Sequence, residues 1–177
     1  GTRQVNTSLL DPGNPGSRNW RVAGAGDLNG DGKTDLVLQH TDGTLAVWYM
    51  DGINLSSAVL FSPANPGDAR WQVVGVGDFN ADAKQDLVFQ HADGTLAVWF
   101  LNGAAMTQAS LFSPSNPGAG WRVVSVADRN QDGKPDLLFQ HTNLDLGVWF
   151  MDGTKLSSSR LLNPKNSGGT WKVVAPN

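Results

Sequence analysis

A repeat of about 50 residues is the feature that most constrains the fold of this chain. Tryptophan marks two positions of the repeat, and each mark returns every 50 or 51 residues. The first set comprises Trp20, Trp71, Trp121 and Trp171, and the second comprises Trp48, Trp99 and Trp149. A unit of this size cannot bury a core alone, so neighbouring units are expected to stack on one another.

The chain of 177 residues divides into three full repeats with a partial repeat at each end. Its opening stretch GTRQVNTSLLDPGNPGSRN aligns without a gap on residues 52–70, and its closing stretch WKVVAPN copies the WRVAGAG of the first full unit. We therefore predict one repeat domain over residues 1–177. Its predicted parts are a tail at 1–19, full repeats at 20–70, 71–120 and 121–170, and a head at 171–177.

Each unit contains four short stretches with the patterns of β-strands. In the first unit, WRVAGAG alternates large and small residues, DLVLQH is a continuous apolar run, and TLAVWYM is β-branched and aromatic. NLSSAVLF is a weaker fourth strand. Asp-Gly and Asn-Gly pairs separate the later strands and are typical of hairpin turns. No stretch has the periodicity of a helix.

The composition of these strands predicts how the units stack. Strands that are apolar on both faces indicate sheets covered on both sides. The small residues that end each first strand allow backbones to approach closely around a common axis. We therefore predict an all-β, propeller-type array of four-stranded antiparallel blades. A three-fold β-prism or β-trefoil, which is also built from repeats of this size, is the alternative.

An acidic loop follows the first strand of each unit, as GDLNGDGKTDL, GDFNADAKQDL and ADRNQDGKPDL. Oxygen-bearing side chains occupy positions 1, 3, 5 and 9 of a D-x-N-x-D-G-x-x-D pattern, and the lysine at position 7 offers its backbone carbonyl. Such spacing predicts calcium. The candidate ligands are Asp27, Asn29, Asp31, Lys33, Asp35, Asp78, Asn80, Asp82, Lys84, Asp86, Asp128, Asn130, Asp132, Lys134 and Asp136.

The alternative for each loop is a plain polar turn in which Asp and Asn bind their own backbone. Three copies of one ligand pattern favour calcium over that alternative. The loops contain no histidine and the chain no cysteine, which argues against zinc or copper. Position 12 carries no glutamate and strands flank the loop, so it is not a helix-loop-helix calcium site.

A glutamine-histidine pair and a third-strand tryptophan also recur in every unit. Aromatic faces beside planar hydrogen-bonding groups are typical of sugar sites, and three copies predict multivalent binding. The alternative assigns the histidines to hydrogen bonds between strands and the tryptophans to the space between blades. The candidates are Gln39, His40, Trp48, Gln90, His91, Trp99, Gln140, His141 and Trp149, with the first-strand tryptophans as further candidates.

Several function classes are excluded by composition and motif. A net charge of -3 with only 13 lysines and arginines gives no basic surface for nucleic acid. No apolar run approaches the roughly 18 residues that a membrane helix needs. Motifs for a serine nucleophile, a phosphate loop or a zinc protease are absent, and every polar cluster is present in three copies, whereas catalytic sites are asymmetric. We therefore predict neither an enzyme nor a membrane-inserted protein.

The unit VVGVGDFNADAKQDLVFQHADGTLAVWFLNG resembles the FG-GAP or VCBS repeat of integrin α-subunit propellers and of many bacterial secreted proteins. The resemblance covers essentially the whole chain. It implies that calcium clamps the turn between the first and second strands, and that the repeats serve adhesion and recognition rather than chemistry. Two departures are Ala83 in place of the position-6 glycine, and fewer units than the usual seven.

These features together predict a secreted, non-catalytic, calcium-binding adhesion module that binds carbohydrate or glycoprotein through repeated sites. The alternative is a structural or protein-protein interaction segment of a larger secreted protein. Three blades make too tight a ring, since propellers have about four to eight, and partial units leave strand edges unpaired. The two ends could pair within one chain as a two-stranded closing unit, or with a second chain. A homodimer that completes the ring by strand exchange is favoured, because it covers both exposed edges.

Overall fold

The computed structural model describes residues 9–166, with side chains to residue 162, and contains three antiparallel sheets of four strands each. The first sheet holds β1 (Trp20–Gly26), β2 (Asp35–His40), β3 (Leu45–Asp51) and β4 (Asn54–Leu60). The second holds β5 (Trp71–Gly77), β6 (Asp86–His91), β7 (Leu96–Asn102) and β8 (Ala105–Leu111). The third holds β9 (Trp121–Ala127), β10 (Asp136–His141), β11 (Asp145–Asp152) and β12 (Lys155–Asn166). The head at 171–177 lies outside the described residues.

The expectation of an all-β array of four-stranded blades is confirmed. Strands pair in chain order within each sheet, and the described residues contain no helix, hence none long and apolar enough to cross a membrane. The first strands lie side by side, β1 next to β5 and β5 next to β9. The described part of the chain forms an open array rather than a closed ring.

The blades stack face to face, and each seam between two blades has its own hydrophobic core. Around the first seam, residues of the first blade pack against residues of the second, and around the second seam the second blade packs against the third. The first core includes Val37, Val47, Phe61, Leu87, Phe89 and Trp99. The second includes Val88, Val98, Phe112, Leu137, Phe139 and Met151. Separate cores at successive seams are typical of propeller blades, whereas a prism or trefoil gathers its sheets around one central core.

Glycine allows the first strands to approach one another as closely as the sequence predicts. A Cβ added to Gly24 would come within 2.6 Å of the Val76 side chain, and one added to Gly75 would overlap Val126. Both glycines lie at a bulge in the pairing of the first and second strands of their blades. A larger residue at either position would force the blades apart.

Each fourth strand forms the outer edge of its blade and is mostly exposed. Leu60, Leu111 and Leu161 occupy equivalent positions and are 57%, 55% and 56% exposed. The segment before each blade is tied to the turn that opens its fourth strand, because Asp11 bridges Asn54 as Ser62 bridges Ala105 and Ser113 bridges Lys155. The described part of the tail therefore makes the same connection as the links between blades.

Candidate functional site

The acidic loops join the first and second strands at the same end of every blade. In the first loop, the Asp27 carboxylate accepts hydrogen bonds from the amides of Gly30 (2.7 Å), Asp31 (3.1 Å) and Gly32 (2.8 Å). These bonds hold the pKa of Asp27 below its usual value, and the bond from Gly32 contributes most. Asn29 accepts from the Asp31 amide at 2.9 Å, so the side chains at positions 1 and 3 both turn onto the loop backbone.

The position-9 aspartate is buried and braces its loop against the third strand. Asp86 accepts hydrogen bonds from the amides of Phe79 at 2.8 Å and Leu101 at 3.1 Å. Asp35 and Asp136 make the same pair of bonds in their own blades. Burial raises the pKa of Asp86 to about 6, although the two amides oppose the shift and nearby Asp78 and Asp82 add to it. The residue expected as a calcium ligand thus also acts as a structural brace.

The loop oxygens fit calcium by their chemistry, because carboxylate, amide and carbonyl oxygens are the ligands that this hard cation takes. Their side chains are not gathered in the structure. Within the described residues, no three acidic or histidine side chains converge as a metal site. The position-5 carboxylate of Asp31 accepts from the Lys33 amide at 2.8 Å and from the Asn29 side chain at 3.2 Å. The backbone of each loop is therefore curled, while its oxygens face loop amides.

In two of the three blades, the lysine at position 7 links its loop to the turn between the third and fourth strands. Lys33 lies 3.0 Å from Asp51, and Lys134 lies 2.6 Å from Asp152. In the second blade Asn102 takes the place of the aspartate. All of these groups are exposed, so the ion pairs position the loop with little effect on stability.

The repeated glutamines connect neighbouring blades. The Gln39 side chain donates to the Trp71 carbonyl at 2.8 Å and accepts from the Val73 amide at 3.0 Å. Gln90 makes the same two bonds to the first strand of the third blade. A glutamine that uses both ends of its amide in this way completes the backbone pairing of the following blade. The structure therefore places Gln39 and Gln90 inside the two described blade seams.

The repeated histidines belong to the hairpins between second and third strands. His40 lies 2.9 Å from the Asp42 carboxylate, and its ring packs against Trp20 with centroids 5.0 Å apart. His91 and His141 pack in the same way on the first-strand tryptophans of their blades. The pKa of Asp42 falls to about 2, chiefly through hydrogen bonds from Thr44, with a smaller contribution from His40. The histidines thus orient the hairpin and the tryptophan.

A groove with two tryptophans recurs on the same face of all three blades. A proline from the preceding segment, the first-strand and third-strand tryptophans, one large apolar side chain of the second strand and the exposed leucine of the fourth strand line each copy. The first groove has Pro15, Trp20, Leu38, Trp48 and Leu60, and a volume of about 220 Å³. The second has Pro66, Trp71, Phe89, Trp99 and Leu111, and about 260 Å³. The third has Pro117, Trp121, Phe139, Trp149 and Leu161, and about 340 Å³. We call these the aromatic grooves.

The third-strand tryptophans have a structural role and a place in the grooves. Trp48 and Trp99 are only 9% and 7% exposed, and Trp99 packs on Phe89 with ring centroids 5.0 Å apart. No indole N–H of the six described tryptophans donates a hydrogen bond, and no described side-chain nitrogen is both buried and unpaired. The indole N–H groups are consequently accessible to solvent, although most of the ring surface of Trp48 and Trp99 is buried.

Sequence reasoning grouped the third-strand tryptophan with the Gln-His pair, whereas the structure groups it with the first-strand tryptophan and a proline. The missed signal is the Asn-Pro-Gly run, whose proline precedes the first-strand tryptophan by four or five residues in each of the three full units. This nearly constant offset indicates that the proline holds an equivalent position in each blade. Nothing in one unit alone shows that this proline lies against the third strand of the blade that follows it.

The comparison with known proteins agrees with the structure. No curated protein matches the chain. The model of the FG-GAP-like repeat matches residues 27–89 and 78–139, so it covers two successive loop-to-loop units and more than half of the chain. Repeats of this kind are modules for protein interaction or adhesion and are generally not enzymes. The three blades, their acidic loops and this match together show that the chain belongs to the FG-GAP-like repeat family.

Proposed function

We propose that this chain is a calcium-stabilised recognition module that binds carbohydrate through its three aromatic grooves. The observation that carries the proposal is the recurrence of one groove, with the same two tryptophans, proline and leucine, in three consecutive blades. Equivalent sites on a rigid array gain avidity when a ligand presents several sugars at once. A function in adhesion follows from that multivalency.

The lining of the grooves suits a sugar ring. The face of an indole ring offers apolar contact to the C–H side of a pyranose, and its N–H offers a hydrogen bond to a ring or hydroxyl oxygen. Volumes of about 220 to 340 Å³ lie at or below the lower end of the usual range for small-molecule pockets, about 300 to 1,000 Å³. Each groove is therefore matched to one sugar unit rather than to a long segment.

The grooves do not favour catalysis. None of their lining residues is aspartate, glutamate or histidine, so no acid-base pair is available to a bound sugar. The carboxylates of the chain lie instead in the loops and hairpins. We therefore propose binding without chemical change.

Calcium in this proposal is held by the three acidic loops. Asp, Asn and the position-7 carbonyl would supply the oxygens, and the cation would offset the mutual repulsion of the carboxylates. The loops lack a bidentate glutamate, which favours weak binding of the kind seen in extracellular modules, with dissociation constants of about 0.1 to 1 mM. That range supports a secreted protein, because a site of that affinity fills only where calcium is abundant.

We also propose that two copies associate through the inner face of the first blade. Val22 is 58% exposed, whereas the equivalent Val73 and Val123, each next to a preceding blade, are 2% and 7% exposed. A second copy would cover that valine and the strand edge beside it. Analytical ultracentrifugation should show a dimer that Val22→Arg converts to monomer. A monomeric parent chain at high concentration would rule the association out.

A glycan array tests the carbohydrate proposal. The parent chain should bind a defined set of glycans, and the triple variant Leu60→Ala, Leu111→Ala and Leu161→Ala should lose most of that binding while keeping its melting temperature, because these leucines are more than half exposed. Ile53→Ala, at a position that is 46% exposed and lines no groove, is the matched control. Absence of glycan binding by the folded parent chain would overturn the proposal and favour a structural or protein-binding segment.

A further inference from the structure

We infer that the aromatic grooves select sugars that carry a methyl group in place of a hydroxymethyl group, the 6-deoxyhexoses, over their hydroxylated counterparts. The inference rests on the proposed function and names the class of sugar that the grooves would take. The inference is based on the side chains of the groove walls, which provide hydrogen-bond donors but, in two of the three grooves, no acceptor.

The walls of the first groove contain donors but no side-chain acceptor. Its side chains are those of proline, leucine, alanine, valine and two tryptophans, whose only polar atoms are indole N–H groups. Neither Trp20 nor Trp48 uses its N–H within the protein, and both nitrogens reach solvent. A ligand oxygen can accept hydrogen bonds from these donors, but a ligand hydroxyl that enters the groove finds no side chain to accept a hydrogen bond from it.

The polar residues nearest the other grooves mostly face away. Arg160 pairs with Val148 across the sheet, so its side chain leaves from the face opposite Trp149. Ser110 pairs with Val98 in the same way, and its hydroxyl donates to the Leu111 carbonyl at 3.1 Å. Cross-strand partners share a face, and therefore neither side chain reaches the tryptophan side of its blade.

The third groove differs from the other two by one acceptor. Ser159 pairs with Trp149 and thus lies on the groove side of the sheet. The residues paired with the other third-strand tryptophans are Ala58 and Ala109. The chain consequently contains two grooves without a side-chain acceptor and one with a serine hydroxyl, which provides an internal comparison.

An unpaired hydroxyl inside such a groove weakens binding, whereas a methyl group at the same place gains apolar contact. Apolar pockets reject an added hydroxyl by up to about a hundredfold. We therefore expect the first and second grooves to prefer the 6-deoxy sugar by on the order of tenfold to a hundredfold. The preference of the third groove should be smaller, since the Ser159 hydroxyl can accept a hydrogen bond from the sugar hydroxyl.

Titration by nuclear magnetic resonance, with the assigned indole N–H signals as reporters, tests each groove separately. Methyl α-L-fucopyranoside and methyl α-L-galactopyranoside are the first pair of probes, because they differ by a single hydroxyl. The glycosides of L-rhamnose and L-mannose are a second matched pair of different stereochemistry. The 6-deoxy member should shift the signals of Trp20, Trp48, Trp71 and Trp99 at lower concentration than its partner.

Serine variants sharpen the comparison between grooves. Ser159→Ala should raise the preference of the third groove to that of the others, and Ala109→Ser should lower the preference of the second. Ser158→Ala is the control, since this residue pairs with Phe150 on the opposite face and should change nothing. Unaltered melting temperatures confirm that each variant is folded.

The outcomes separate this inference from the proposed function. Equal affinity for both members of each pair, or tighter binding of the hydroxylated member, overturns the inference and leaves carbohydrate binding intact. Binding of other glycans on the array with no response to any 6-deoxy sugar also overturns it. If no sugar shifts an indole signal and no glycan on the array is bound, the proposed function itself fails.

Discussion

The acidic loops of the first and second blades share most of their bonds between side chains and backbone, but the amide of Ala81 does not bond to Asp78 as that of Gly30 bonds to Asp27. The backbone conformations of the two loops also differ in strain. Gly30 and Gly32 carry the positive φ angles of the first loop, 79° and 81°. Ala81 and Ala83 adopt φ angles of 59° and 65° at the same positions of the second loop. A residue with a side chain costs about 1 kcal/mol or more in that conformation.

The difference shows what determines the loop shape. Glycine is not required, because the second loop keeps the same curl with alanine at both positions. The Asp78 carboxylate still accepts hydrogen bonds from the amides of Asp82 at 3.2 Å and Ala83 at 2.8 Å. The buried Asp86 carboxylate still accepts from the Phe79 amide at the start of the loop. Bonds to these two aspartates therefore outweigh the strain of the left-handed backbone.

The largest expected effect comes from removal of the brace, which should affect both loops alike. Asp86→Ala leaves the amides of Phe79 and Leu101 buried and unpaired, and Asp35→Ala does the same in the first blade. Each should lower the free energy of unfolding by about 2 to 5 kcal/mol, measured by urea denaturation in the presence of chelator.

Asp82→Ala is the control for that experiment, because Asp82 is exposed and bonded only within its loop. It should reduce stability far less. If Asp86→Ala cost no more than Asp82→Ala, the brace would not hold the loop, and the strain in the second loop would need another explanation.

Calcium removal should have the next largest effect. At about 1 mM calcium, a site with a dissociation constant of about 0.1 to 1 mM stabilises the fold by about 0.4 to 1.4 kcal/mol, so chelator should lower the melting temperature by roughly 1 to 6 °C per occupied loop. The variants Asp27→Asn and Asp78→Asn, made one at a time, divide that shift between the first and second loops. A melting curve that does not respond to calcium in the parent chain contradicts metal binding.

Exchange of the position-6 residues tests the strain directly. Ala83→Gly should stabilise the chain by up to about 1 kcal/mol, and Gly32→Ala should destabilise it by a similar amount, as measured by urea denaturation. Ala92→Gly is the matched control, since Ala92 is exposed and its φ is not positive, so glycine should be neutral or destabilising there. Equal effects at Ala83 and Ala92 would show that the second loop is not strained.

The smallest expected effect concerns acid. The hairpin bonds lower the pKa of Asp42 to about 2 in the folded chain, so its contribution to stability is present above pH 4 and is lost as pH falls from about 4 through 2. Asp42→Asn should remove that part of the acid sensitivity in thermal melts between pH 2 and 5. The third blade already has Asn143 at the equivalent place, with its oxygen 2.7 Å from the His141 ring, and Asn143→Ala should leave the acid profile unchanged.

Sequence alone predicted the strands, the loops and their repetition, because these depend on neighbours within a unit. DLVLQH becomes β2 with the expected bounds, and the Asp-Gly pair after it forms the expected turn. The sequence predicts the position-9 aspartate as a ligand, but it does not predict the bonds of this residue to the third strand, because they join residues fifteen apart at a buried position. The metal itself stays a prediction.

Relations between units could not be predicted from a single repeat pattern. Gln39 and His40 are adjacent in sequence, yet Gln39 forms hydrogen bonds with the following blade, while His40 contacts Asp42 in its own hairpin. Likewise, a proline lies beside the tryptophans of the blade that follows it. A repeating sequence shows that such residues hold equivalent positions, but several stacking arrangements would preserve that equivalence.

The glutamine bonds between blades have a consequence for how such chains change in length. Gln39 and Gln90 each complete the first strand of the following blade, so both junctions among the described residues are made by bonds between two adjacent units. An in-frame duplication or deletion of one 50-residue unit therefore creates a junction of the same kind, with the glutamine of one unit bonded to the first strand of the next. Recombination between repeats could lengthen or shorten the array in single steps, changing the number of grooves while keeping the same type of interface between blades.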